Sequence, residues 1–409
     1  MSLETAAGTV AEQIKRQEFV EVYAHHDADG IAAASILCHA MLRAGIRFRL
    51  RIRKEITLPD LGGDAAFLLC DLGAGVEGLP RDVMVVDHHI PQSEGEFHVN
   101  PRLAGIDGDR ELSAAGTAYY VAQELGDNRD LAGLVIPGII GDGQQMTGKN
   151  LEIFNEGIAN GIIAPDRGIT LPGRDMTERW YMAISPYLDG ISGAEERITA
   201  LLDQSRDPSH GDNGFRLDTL LSQVVLEAAP KTTAASLLSV YGDTFHLQRE
   251  VIDDAHALTA VIDACGKSGS GDIATTLCLR SSHYLDRAWE IARRHRGRVI
   301  EAVRMVHAVE GYKGVYEITD AALTSDVSDI LARDVPHAVP VLVYAKSNDA
   351  CWISARCPPG TTADLGPLVR ALAGSCGGKG GGHLLRAGAT IPCDKVTLFA
   401  KGWQEAVAA

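Results

Sequence analysis

Aromatic residues make up only 5% of this 409-residue chain, and no apolar run approaches the roughly 18 residues of a membrane-spanning helix. The second absence excludes a helical membrane protein, and the first argues against a stacking platform for long single strands of nucleic acid. Residues 1–17 also lack the apolar core of a signal peptide, so a cytoplasmic location is expected. Excess positive charge is missing as well: the formal charge is −16. Nonspecific coating of nucleic acid needs a basic surface, which this balance does not supply, although a local basic channel stays open. The eight cysteines include no Cys-x-x-Cys pair and mostly sit among apolar neighbours. Reduced, buried thiols follow, and a zinc ribbon does not. No Walker loop, internal repeat or low-complexity tail is found. The length exceeds one ordinary core, so two or three domains are expected.

What the chain does have is a recurring way of ending its apolar segments. Residues 20–24 run into His25, His26, Asp27, Asp29 and Gly30, residues 66–70 into Asp71, and residues 83–86 into Asp87, His88 and His89. Open α/β sheets carry their chemistry at the carboxyl ends of their strands. Histidine with carboxylates is the ligand set of a divalent-metal centre. Each signal has a plainer reading when taken singly: Asp27 and Asp29 as helix N-caps, Asp71 as a turn residue, Asp87-His88-His89 as a surface cluster. Repetition on three successive strands favours the metal. Asp142, between Gly141 and Gly143 after the apolar stretch 131–140, either ends a helix or supplies a fourth carboxylate.

Read coarsely, the chain is α/β: a mostly parallel sheet with helices over residues 1–200, a mainly helical connector over 201–298, and a smaller α/β domain over 299–409. Helices are expected at 31–37, 113–125, 131–140, 217–226 and 248–264, with a loop marked by Pro208, Ser209, Gly211 and Gly214. Arg47, Arg49, Arg51 and Arg53 alternate with apolar residues, which puts four guanidinium groups on one face of a strand. That face either follows a phosphate backbone or protects a sheet edge from pairing. A second basic segment spans 287–298. Strands return at 339–344, 350–356 and 387–391. The glycine-rich loop expected at 377–383 offers bare amides to an anion, with Lys379, His383 and Arg356 adding charge and Ser354 beside them. The plainer reading is a flexible linker.

Together these motifs resemble the DHH phosphoesterase superfamily with a C-terminal DHHA1 domain, and within it the archaeal RecJ-like exonucleases. The resemblance rests on His25-x-Asp27-x-Asp29-Gly30, Asp71, Asp87-His88-His89, Gly141-Asp142 with Gln144 nearby, Ser354-x-Arg356, and Gly380-Gly381-Gly382-His383. Residues 253–258 and 264–267 look like the connector of archaeal members, so the likeness covers nearly the whole chain. It implies a phosphodiesterase with two metal ions, usually Mn²⁺, with Mg²⁺ as the other candidate. His25 and Asp27 would bind one ion, Asp29, His88 and Asp142 the other, and Asp71 would bridge them, with His26 the alternative ligand if the register slips by one. Asp87 would orient an imidazole, and His89 would face the scissile phosphate. Ser354, Arg356, Gly380, Gly381, Gly382 and His383 would hold the substrate. The implied activity is removal of nucleotides from single-stranded DNA or RNA. Two alternatives stand beside it. One is a phosphatase for short oligoribonucleotides, cyclic dinucleotides or 3′-phosphoadenosine 5′-phosphate, favoured by the acidic charge and scarce aromatics. The other is a replisome scaffold bound to the GINS complex.

Overall fold

The computed structural model describes the chain apart from residues 64, 93, 208–213, 362, 383 and 409. The turn residues Pro208, Ser209 and Gly211 and the candidate ligand His383 therefore lie outside the described residues. The chain divides into two compact units, Met1–Pro172 with Asp243–His295, and Gly173–Gly242 with Arg296–Ala409. The segment read as a connector is thus shared between them. No helix among the described residues is long and apolar enough to cross a membrane.

The first unit is built on five strands, β1 (Phe19–His25), β2 (Arg47–Arg53), β3 (Ala66–Cys70), β4 (Met84–Val86) and β5 (His98–Val99), in the order β2-β1-β3-β4-β5. Every neighbouring pair is parallel. Strands β1, β3 and β4 are buried nearly throughout, as expected of parallel strands covered on both faces. Around them pack α1 (Leu3–Lys15), α2 (Ala28–Arg43), α3 (Ala114–Leu125), α4 (Val135–Gly141) and α5 (Gly148–Ala159). Helix α2 starts where Asp27 accepts the Gly30 amide at 3.0 Å, an N-cap. Its alanines let it bury on almost every side. A two-stranded sheet pairs β6 (Ile163–Ile169) with β7 (Tyr241–Leu247).

The second unit holds α6 (Met176–Tyr181), α7 (Glu195–Gln204), α8 (Leu217–Ala228) and α9 (Ala234–Ser239). Two further helices, α10 (Ala255–Lys267) and α11 (Gly271–Cys278), belong to the first unit, and the division between the units falls within α12 (Leu285–Arg304). The helix expected from residue 248 begins only at Ala255, because Asp254 caps it there by accepting the Ala257 amide.

Six strands follow, β8 (His307–Ala308), β9 (Val315–Ile318), β10 (Val341–Ser347), β11 (Ala350–Arg356), β12 (Lys379–Gly382) and β13 (Arg386–Pro392), in the order β12-β13-β11-β10-β9-β8. Alternation along β10 sorts the core. Val341, Val343 and Ala345 join the cluster of α13 (Thr324–Asp334), whereas Leu342 and Tyr344 join that of α14 (Leu365–Ser375) and α15 (Val396–Ala408). The expected glycine-rich loop is corrected here. Gly380, Gly381 and Gly382 pair with Ala389, Gly388 and Ala387, forming an edge strand whose outer amides point away from the sheet. Asp334, 1% exposed, ties the earlier segment to this sheet's helices: its carboxylate accepts the Tyr187 amide at 2.8 Å and the Ser236 hydroxyl at 2.7 Å, and its carbonyl accepts the Thr233 amide.

Candidate metal centre

Because β1, β3 and β4 are parallel and adjacent, their carboxyl ends deliver His25, Asp71 and Asp87-His88-His89 to one edge of the sheet. Asp27 and Asp29 come from the start of α2, and Asp142 caps the end of α4. Three groups of ligand atoms gather there: His25, Asp27 and Asp71; Asp29, His88 and Asp142; and Asp71, His88 and His89. Asp71 belongs to two of them and divides its oxygens between sides. Its Oδ2 lies 3.3 Å from His25 Nδ1, and its Oδ1 lies 3.4 Å from His88 Nε2 and 3.3 Å from His89 Nδ1. On one side, His25 Nδ1 is 2.8 Å from Asp27 Oδ2; on the other, His88 Nε2 is 3.1 Å from Asp142 and 3.7 Å from Asp29. Asp71 reaches this position with φ at +56°, a left-handed backbone uncommon outside glycine that turns its side chain from the line of the strand.

The surrounding contacts fix each ligand. Asp29 accepts the amides of Ala114 and Ala115 at 2.7 and 2.8 Å, at the start of α3. Helix α4 can pass beside it because residue 138 is glycine: a Cβ there would sit 2.2 Å from Asp29 Oδ1. Gly30 is required likewise, since its Cβ would fall 2.6 Å from that of His25. His88 donates from Nδ1 to the Gly108 carbonyl, 2.5 Å away, which leaves Nε2 to face the carboxylates. Gln144 donates to the same carbonyl and is itself held by Asn150. Among the described residues, Asp87 belongs to none of the three groups. It accepts the amides of Ala74, His88 and His89, and its Oδ1 holds His89 Nδ1 at 2.8 Å.

Electrostatics shows what the cluster is missing. Among the described residues, every ion pair made by Asp27, Asp29, Asp71, Asp87 and Asp142 is with an imidazole. Burial, with Asp142 and Asp71 nearby, pushes Asp29 well above the usual carboxylate range, and burial lifts Asp142 to about 6. Burial opposes charge on the histidines, yet Asp142 and Asp71 raise His88 to about 10, and Asp71 and Asp87 raise His89 to about 12. His26 goes the other way, to about 4, through burial and the charge of His25. His25 Nδ1 and Asp71 Oδ1 are buried without a hydrogen-bond partner although carboxylates or imidazoles lie at ion-pair distance. Donors converging on shared points, rather than on each other's protons, fit divalent cations.

The model of the DHH family, N-terminal domain, matches residues 20–139, which carry most of this cluster, and that of the DHHA1 domain matches residues 311–409. The chain belongs to the DHH superfamily with a DHHA1 domain. Members of the DHH superfamily are metal-dependent phosphoesterases. An uncharacterized protein of Methanocaldococcus jannaschii is 27% identical, over 95% of this chain and 93% of its own. The fold is shared with RecJ of Thermus thermophilus in complex with Mn²⁺, at 17% identity and TM-score 0.59, covering 98% of this chain and 54% of that one. It is shared too with CDC45 of Entamoeba histolytica, at 11% identity and TM-score 0.62, covering 100% of this chain and 99% of that one.

In the DHHA1 region, Ser354 is 5% exposed and bonded to Ser328, while Arg356 donates from Nε to Asp329 at 2.5 Å and from Nη2 to Ser325. Both side chains are committed to α13. Residue reasoning missed Asp329, because its pairing with Arg356 joins a helix to a distant strand and no local pattern marks it. Gly108 and Asn150 were missed for the same reason. In the DHH domain, Arg49 and Arg51 of edge strand β2 both pair with Glu21. The alternation of Glu21 and Tyr23 along β1 carried that signal.

Proposed function

We propose that this chain is a two-metal phosphodiesterase that removes nucleotides from the ends of single-stranded DNA or RNA. The carrying observation is the division of Asp71 between two groups, His25 with Asp27 and His88 with Asp29 and Asp142. Divalent ions, manganese or magnesium, would supply charge against the phosphoryl transition state and an activated water. The mixed imidazole and carboxylate set favours manganese, and RecJ structures of this fold hold either Mn²⁺ or Mg²⁺. Asp71 holds both groups in register through its two oxygens. His88 keeps Nε2 on the carboxylate side by donating Nδ1–H to Gly108. His89 is the imidazole placed to meet a phosphate, with its side chain 40% exposed against 7% for His88, and Asp87 sets its ring. Gly380, Gly381, Gly382 and His383 are the proposed substrate contacts of the DHHA1 domain, with Ser354 and Arg356 shaping their surroundings.

A second reading, hydrolysis of short oligonucleotides only, is favoured by the pairing of Arg49 and Arg51 with Glu21, which spends the basic strand internally. End-labelled 20-nucleotide DNA and RNA strands, incubated with Mn²⁺ beside a dinucleotide, separate the two, with Asp71→Ala as control. Ladder-like shortening that Asp71→Ala abolishes supports the exonuclease. Cleavage of the dinucleotide alone supports the second reading. Silence on all three substrates overturns both.

A further inference from the structure

Three of the four tryptophans are buried, Trp180, Trp289 and Trp403 at 1%, 5% and 0% exposure, whereas Trp352 is 37% exposed. It stands on β11 in register with Thr390 of β13, which is in register with Lys379 of β12. These three side chains therefore form a row across three strands on one face of the sheet. They line an open pocket of about 630 Å³, bordered also by Asn348 and Asp349 and by Gly378 and Pro392. Two residues along each strand, the next row on that face is Ser354, buried against α13, followed by Gly388 and Gly381, both half-buried and without side chains to fill the surface of β13 and β12. The row after that brings Arg356 beside Arg386. Along β13, from Thr390 to Arg386, the face runs about 14 Å, too long for one mononucleotide to touch both ends.

Charge selects the occupant. In a chain of net charge −16, this face gathers Lys379, Arg386 and Arg370, whose guanidinium approaches Gly381. Among the described residues none of the three has a carboxylate within ion-pair distance. Asp349 is the acid lining the cavity, placed to accept from an exocyclic base amine. An exposed indole beside a cation, an open pocket roomy enough to admit a base and a glycine trough with further cations match a single strand, whose bases stack and whose phosphates need countercharge.

We propose that this face binds single-stranded nucleic acid, one base entering the cavity to stack on Trp352 while Lys379 and Arg386 meet flanking phosphates. The choice of occupant rests on the phosphodiesterase reading above, and the device would make the protein favour strands over dinucleotides. The test titrates the full-length protein, in EDTA to prevent cleavage, with a labelled 20-nucleotide single strand, following tryptophan emission and strand anisotropy. The strand is expected to quench emission in the wild type, and Trp352→Ala to remove the quenching and weaken binding about 5- to 150-fold. Gly388→Val should weaken binding comparably by filling the trough. Its Cβ would meet the Ile353 carbonyl at 3.4 Å, and thermal unfolding near the wild-type temperature would show that the fold accepts the larger side chain. Absence of quenching in the wild type, wild-type affinity in both variants, or equal affinity for a dinucleotide would overturn the proposal. Hydrolysis with Mn²⁺ of bis(p-nitrophenyl) phosphate, a substrate with no flanking nucleotides, tests the metal centre and should be the same in Trp352→Ala. Its failure in the wild type would sink the phosphodiesterase reading while the titration still decides this one.

Discussion

Replacing Asp87 by asparagine changes one atom, yet the structure predicts a double loss. The carboxylate accepts four donors: Oδ2 takes the Ala74 amide at 2.9 Å, and Oδ1 takes the amides of His88 and His89 and the ring of His89 at 2.7, 3.1 and 2.8 Å. A carboxamide whose oxygen stays on the histidine side must turn its NH₂ toward the Ala74 N–H, so two donors face each other in a site 1% exposed. One charge-assisted hydrogen bond is lost and one buried amide is left unsatisfied, which costs roughly 2–4 kcal/mol. At about 2–4 °C per kcal/mol for a unit of this size, melting should fall by roughly 4–16 °C. The ring of His89 also loses its anionic partner, and such supporting contacts typically contribute 10- to 100-fold in activity. Two assays check this: thermal unfolding by circular dichroism, and kcat/KM on a phosphodiester with Mn²⁺. His89→Ala separates the effects, because it removes the imidazole without orphaning the amides; it should reduce activity as much while melting nearer the wild type. The double variant should lose less activity than the two single losses combined. Wild-type melting and activity in Asp87→Asn would refute the reasoning, and so would fully additive activity losses.

Gly138→Ala should uncouple Asp29 from its site, because the new methyl would sit 2.2 Å from Oδ1. Hydrolysis should fall at least tenfold, and bound manganese measured by mass spectrometry should fall with it; unchanged metal content would refute the assigned position. Arg49→Ala and Arg51→Ala should leave the salt dependence of strand binding unchanged, since Glu21 already holds both; a slope shallower by about one per arginine would place β2 on the phosphate backbone instead. Asp130, bidentate to Arg43 and bonded to Arg280, joins the end of α2 to the segment after α11. Asp130→Asn should cost about 1–2 kcal/mol, the site being partly exposed. Arg43, with Arg280, holds this carboxyl well below its ordinary 3.8. Its contribution is therefore complete above that value and fades as pH falls below it. The melting difference between wild type and variant should be constant from pH 7 to 5 and shrink in more acidic buffer; a difference that widens on acidification would contradict the pairing.

The metal-facing residues were legible because parallel strands bring their carboxyl ends to one edge, so three similar endings in sequence become one place in space. The helix starting at Ala28 was legible from its cap and its alanines. What escaped reading was held by distant partners. The resemblance implied that Asp87 orients an imidazole, but nothing nearby in sequence said that the Ala74 amide, thirteen residues back, would help to hold it. Arg356 reads as a spare cation until Asp329 folds beside it. The glycines at 380–382 read as a loop because glycine is poor in strands, and only pairing with β13 makes them one. The arginines of β2 read equally as phosphate contacts or edge protection, and the parallel register that sets Arg49 opposite Glu21 shows what holds them.

The chain crosses from one compact unit to the other at residues 172–173, 242–243 and 295–296. A C-terminal fragment cut at residue 299 or 311 would carry Asp334 away from Tyr187, Thr233 and Ser236, stripping donors from a carboxylate that is almost wholly buried. The DHHA1 stretch at residues 311–409 is thus shorter than the compact unit that contains it. Moving that unit into another protein means transplanting two separated lengths of chain, 173–242 and 296–409.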